Sequence, residues 1–181
     1  LVLNCMIGIA HGIQPLSSYH LGAGELPTCH KFLSYGVRSA AGLAVLFFAG
    51  CQLLANPIVG LFLSHESALF ASSVAALRMY SFAFLLVGFN VVVSGFFTAM
   101  EHPFPSLTIS FGRGLVFISG CLMVMSALFG ANGIWLTPLV SETITLAFTA
   151  GFLVYYFRKV RRNEAEEKAP IRAAAEPQSL S

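Results

Sequence analysis

Glu142 is the residue with the most chemistry to offer. It is a carboxylate standing alone between residues 114 and 157, a stretch with no other Asp, Glu, Lys or Arg. Pro138, Glu142, Thr145 and Thr149 recur at i, i+4, i+7 and i+11, which sets them on one side of a helix. A carboxylate with hydroxyls above it on the same face is suited to exchange a proton or a metal cation. Asn90 and Ser94 form a second polar pair, and His11, Gln14 and Ser18 form a third polar face. Gln14, Ser18, Asn90, Ser94, Thr145 and Thr149 are therefore expected to line a wet cavity. The competing reading of the hydroxyls is hydrogen bonding between helices, about 0.6 kcal/mol per contact in a bilayer. Arg78 and Arg113 are the two cations able to meet Glu142. Phe82, Phe84, Phe96 and Phe97 either line the same cavity or pack.

The elements that position these groups follow from composition. Of 181 residues, 56% are hydrophobic and only 10% charged, against about 25% charged in a soluble domain. Ten of the 18 charged residues lie at or after Arg158. The rest of the chain cannot coat a soluble globule, which excludes a soluble enzyme, a nucleic-acid binder and a disordered protein. A membrane helix needs about 20 apolar residues. Five spans are expected, at about 1–19, 37–63, 69–100, 104–129 and 133–157, as an all-α polytopic bundle within the lipid bilayer. The runs are too long and too evenly apolar for barrel strands. Residues 158–181 are expected to be a tail, basic at first and disordered from Asn163. The chain opens at Leu1, inside an apolar segment with no basic flank, so it is expected to be a fragment rather than to start with a signal peptide.

Loop charges set the orientation. The connection 20–38 carries Lys31 and Arg38, and the tail opens with Arg158, Lys159, Arg161 and Arg162. Both are basic and share a side, so both are expected in the cytoplasm. An ionisable group within a span costs about 2.5–3.5 kcal/mol on insertion scales and calls for a partner. Arg78 and Glu142 each enter about nine residues from the outer face, roughly 13 Å deep at 1.5 Å per residue. Arg113 enters from the inner face. Depth therefore predicts that Arg78 pairs with Glu142, in a coupling role or a structural ion pair, and that Arg113 snorkels or bridges elsewhere. Pro15 and Pro138 remove helix hydrogen bonds within spans and are expected as hinges or fixed kinks.

Other motifs carry less. Cys29, His30 and His20 lack a fourth zinc ligand, so no metal site or cofactor is expected. Gly22-Ala23-Gly24 is not followed by the Lys-Ser/Thr pair of a phosphate loop. There is no HExxH, Ser-His pairing or paired carboxylate for a membrane enzyme. A non-transporting membrane scaffold would use small-residue interfaces, of which Ala40 and Ala44 are a weak instance.

Several segments, taken in order, resemble one family. GIAHGIQPLSSYHLGAGE, LANPIVGLFLSHES, ALRMYSFAF, GFNVVVSGFFTAME, SFGRGLVF and GANGIWLTPLVSE are similar to the C-terminal lobe of multidrug and toxic-compound extrusion (MATE) transporters, over about residues 8–157. The resemblance implies that the five spans correspond to the eighth to the twelfth of a twelve-span, two-lobed transporter. The N-terminal lobe and the seventh span would then lie outside this chain. It also implies sodium- or proton-coupled antiport of an organic cation or drug-like substrate across the cell membrane. Some members bind the coupling cation with carboxylates on the seventh and tenth spans. Span three here, the tenth by this alignment, has none within the membrane. A lipid-linked sugar flippase of similar fold is the alternative; it would need a larger cationic cavity than Arg78 and Arg113 can furnish.

Overall fold

The computed structural model describes residues 1–175, with the backbone alone for 131, 164 and 167–175. The fold is that of an all-α polytopic membrane protein. Its helices are α1 (Val2–Gly22), α2 (Leu26–Leu53), α3 (Ala55–Gly60), α4 (Phe70–Ser81), α5 (Phe84–Ala99), α6 (Pro103–Phe111), α7 (Ile118–Phe129) and α8 (Ala131–Ala175), with a π-helical segment, Gly112–Phe117, joining α6 to α7. Among the described residues, three helical stretches are long and apolar enough to cross a membrane: Leu26–Leu53, Pro103–Phe129 and Asn132–Asn163. A fourth is the pair α4 and α5, bent by 41° at the break between them. The 21-residue α1 is not among them, because its Asn4, His11, Gln14, Ser17, Ser18 and His20 dilute its apolar character.

The core is a trio of α1, α2 and α5. The buried face of α1 is Met6, Ala10, Ile13 and Ser17, and that of α2 is Cys29, Leu33, Gly36, Ala40 and Ala44. Both sets follow the three-and-four spacing of one helical stripe. On α5 almost every residue from Val87 to Ala99 is buried. Small residues let the backbones close in, the usual device where lipid supplies no hydrophobic drive. A Cβ built on Gly88 would stand 3.2 Å from the Cβ of Ala40 and 3.1 Å from the sulfur of Met6, and one on Gly36 would stand 2.9 Å from Ile13 Cδ1.

The connections differ from the expected ones. The loop expected at 20–38 shrinks to residues 23–25, because α2 starts at Leu26 with Pro27 in its first turn. Gly24 makes the turn at φ +76°, and His20 Nδ1 lies 2.9 Å from Glu25 Oε2 across it. Lys31 and Arg38 ride on the exposed side of α2. The span expected at 37–63 breaks at Leu54, and that at 69–100 breaks at Phe82–Ala83. Neither Pro15 nor Pro138 interrupts its helix. Between α5 and α6, Glu101 takes φ 58° and His102 leads into Pro103.

The described chain divides into two units, residues 1–149 and the part from Ala150 onward. The second unit is the remainder of α8. It carries an Arg162–Glu166 ion pair of 3.2 Å at i, i+4 and runs to Ala175, where a disordered tail was expected from Asn163. Alternating charges four apart favour helix over coil here. The last six tail positions, 176–181, lie outside the described residues.

Candidate functional site

Two polar residues of the first unit, Asn90 and Arg113, meet Glu142. Glu142, on α8, is buried. Asn90, fully buried on α5, donates through Nδ2 to Glu142 Oε2 at 2.8 Å and to the Glu142 backbone carbonyl at 3.1 Å. The carboxylate faces a cation as well, and that cation is Arg113: its Nη1 lies 3.5 Å from Glu142 Oε1. The expected pairing with Arg78 is thus corrected. Arg78 sits on α4, before the bend, where its backbone carbonyl accepts from Gln52 and from Ser81.

Residues counted in from the span ends cannot separate the two arginines. A hydrocarbon core is about 30 Å thick, so about nine residues of helix from either face come within a few Å of the midplane. Arg113, counted in from the other end of its span, can therefore reach the level of Glu142, and the structure sets the two side by side. The π-helical segment contains Gly112, Arg113 and Gly114, and π turns of this kind are frequent at functional sites.

Two cavities flank the pair. The first, of about 210 Å³, is lined by Tyr80, Phe84, Arg113, Pro138, Ser141 and Glu142 among others. The second, of about 240 Å³, is lined by His11, Gln14, Ser94, Thr98, Ser110 and Arg113 together with apolar neighbours. Arg113 belongs to both walls. Beside the second cavity runs a hydroxyl network. Ser94 Oγ lies 2.8 Å from Ser110 Oγ, and Thr98 Oγ1 lies 2.6 Å from Ser106 Oγ.

The other expected site residues fall as follows. Gln14 and Ser94 are at the second cavity and Pro138 is at the first. Ser18 donates to the Ala99 carbonyl at 3.3 Å, tying α1 to the end of α5. Thr145 donates to the Ser141 carbonyl of its own helix at 2.9 Å. Thr149 is fully buried, and its hydroxyl has no hydrogen-bond partner among the described residues. Ser18, Asn90, Thr145 and Thr149 line neither of these two cavities, and Pro15 is among the lining residues of neither. Phe84 reaches the first cavity. Phe96 and Phe97 are fully buried, and Phe82 packs its ring 4.9 Å from that of Phe48. Cys29 is buried and donates to the Ser17 carbonyl at 3.3 Å.

Sequence reasoning missed Arg113 as the partner, and Thr98, Ser106 and Ser110 altogether. The signal was present. Ser106, Ser110 and Arg113 recur at i, i+4 and i+7, and Asn90, Ser94 and Thr98 at i, i+4 and i+8, two polar stripes that match each other.

Comparison with known proteins follows the same direction. The chain is 25% identical over 157 residues to the multidrug export protein MepA of Staphylococcus saprophyticus, an alignment covering 84% of this chain and 33% of that protein. It therefore spans about one third of the length of the curated relative it matches. No solved structure matches it. Residues 1–123 match the MatE family model, well over half of the 181-residue chain, and the chain belongs to the MatE family.

Proposed function

We propose that this chain is part of the C-terminal lobe of a secondary-active efflux transporter, an antiporter rather than an enzyme. It would exchange a proton or sodium ion for an organic cation or drug-like substrate across the cell membrane. The basic start of its tail would lie in the cytoplasm, and an N-terminal lobe would complete the transport path. The observation that carries this reading is Glu142: a carboxylate inside a membrane helix, held by Asn90 and Arg113 on the wall of a cavity. Family membership and kinship to a multidrug export protein support it.

The chemistry follows from the cost of charge in lipid. The Glu142 carboxylate is held by a guanidinium and an amide N–H, and its oxygens are presented to a cation entering the first cavity. A proton or sodium ion arriving from the other side competes for the same oxygens and releases that cation. Two bundles rocking about a midplane site make the exchange directional.

The test is Glu142→Gln in the intact transporter, reconstituted with an imposed proton or sodium gradient and followed by efflux of a cationic dye. Gradient-driven efflux should fall at least tenfold while protein abundance stays near normal. Unimpaired efflux at normal abundance removes Glu142 from coupling. Lost abundance that Arg113→Gln restores makes the residue a structural ion-pair partner.

A further inference from the structure

The proposed transport reading leaves the second cavity without a role, and its lining is chemically unlike that of the first. The first cavity offers one carboxylate, Glu142, with the rings of Tyr80 and Phe84, 5.6 Å apart and edge to face. A carboxylate beside aromatic faces suits an ammonium. The second cavity has no carboxylate among its described lining residues. It offers the guanidinium of Arg113 with the amide of Gln14 and the hydroxyls of Ser94, Thr98 and Ser110. The Thr98 and Ser94 hydroxyls already donate to the Ser94 and Ser106 carbonyls, which leaves Arg113, Gln14 and Ser110 to donate to a carboxylate, and an arginine can grip one with two parallel N–H groups.

Arg113 is the wall between them, and the link it makes to Glu142 is long, 3.5 Å from Nη1 to Oε1. The guanidinium carries five N–H donors, and this contact engages one amino group. About 150 Å³ of empty space is enough for a benzene ring, so each cavity has room for one end of a small aromatic molecule.

We infer that the two cavities are the two halves of one site for a zwitterionic substrate. The ammonium end lies against Glu142, Tyr80 and Phe84, and the carboxylate end lies against Arg113, Gln14 and Ser110. Such a molecule inserts into the Arg113–Glu142 pair and replaces one internal ion pair with two intermolecular ones. Neither protein charge is left uncompensated when it binds, and the net charge of the site is unchanged. A pure cation would compensate Glu142 but leave Arg113 without its counter-ion. This assignment rests on the transport reading for the identity of the cation end, and adds the anion end.

The experiment is equilibrium binding to the purified intact transporter, with no gradient. It uses three probes of shared ring and different charge: 4-(aminomethyl)benzoate, benzylamine and benzoate. The zwitterion should bind at least tenfold more tightly than benzylamine or benzoate. Arg113→Gln should abolish that advantage by weakening the zwitterion, while benzylamine, which no longer strips Arg113 of its counter-ion, should bind at least as tightly as before. Where Arg113→Gln does not accumulate, Ser110→Ala should weaken the zwitterion several-fold and leave benzylamine unchanged. Benzylamine binding as tightly as the zwitterion, or binding of none of the three, overturns the assignment. Because binding is measured without transport, these results stand apart from the efflux outcome for Glu142→Gln, and either reading can fail alone.

Discussion

Removing the guanidinium of Arg113 is the sharpest perturbation of the charge cluster. At 3.5 Å and an effective dielectric constant near 20, two unit charges attract by about 5 kcal/mol. Desolvation cancels much of this, since the Arg113 and Glu142 side chains are only 22% and 11% exposed. A net pair coupling of about 1–2 kcal/mol remains, above the roughly 0.6 kcal/mol average of a polar contact in a bilayer. Arg113→Gln alone should cost about 3 kcal/mol, the low end for a broken buried pair, because the Asn90 amide still holds the carboxylate at 2.8 Å. Arg113→Gln with Glu142→Gln should recover part of that loss, since no buried charge is then stranded. The assay is reversible unfolding of the purified intact protein in bicelles, arranged as a double-mutant cycle. A parallel cycle of Arg78→Gln with Glu142→Gln should be additive within about 0.5 kcal/mol, as for residues that do not share partners. Coupling under about 0.5 kcal/mol between Arg113 and Glu142, or equal coupling to Arg78, would refute the placement of this pair.

Gly36→Val should destabilise the protein by about 1–3 kcal/mol through overpacking, because even a bare Cβ there meets Ile13 and Val92 at 2.9 and 3.0 Å; thermal unfolding checks it. Gly130 sits at φ 59° and ψ −136°, outside the regions open to other residues, so Gly130→Ala should cost about 1–3 kcal/mol although no atom lies near its Cβ position; the same melt reads it against wild type. The proposed orientation is checked by thiol labelling of intact cells with Ala23→Cys and the native cysteines replaced by alanine. Native Cys29 is fully buried and cannot report. Ala23→Cys should react with a membrane-impermeant reagent only after permeabilisation, and strong labelling of unbroken cells reverses the topology.

Apolar runs announce helices in a bilayer, because lipid tolerates no unpaired backbone and so forces each run to hydrogen-bond within itself. That is why the stretches near 104–129 and 133–157 and the pair within 69–100 could be read from residue type. Their interruptions could not. Phe82-Ala83 contains no Gly or Pro to announce a bend, and the contacts beside it, Gln52 of α2 to Ser81 and the Phe48 ring to Phe82, are tertiary. Lys31 and Arg38 pointed to a loop because charges were equated with connections, yet a helix can carry them on an exposed face. Within the site, the importance of Glu142 and Asn90 was visible from their types and positions. The identity of the cation was not, because two arginines at similar depth differ only in which helices are neighbours.

The contact of α1, α2 and α5 through Gly36, Gly88, Ala10 and Ala40 has a mechanical consequence. Backbones that close together leave little slack, so the trio resists shear as a single stiff strut. Bending is cheapest where the hydrogen-bond ladder is already interrupted, at Leu54, at Phe82–Ala83 and along Gly112–Phe117. The last of these compliant joints carries Arg113, while Asn90, one of its companions around Glu142, is anchored to the strut. A load on the bundle is therefore converted into displacement of one charge against a fixed frame.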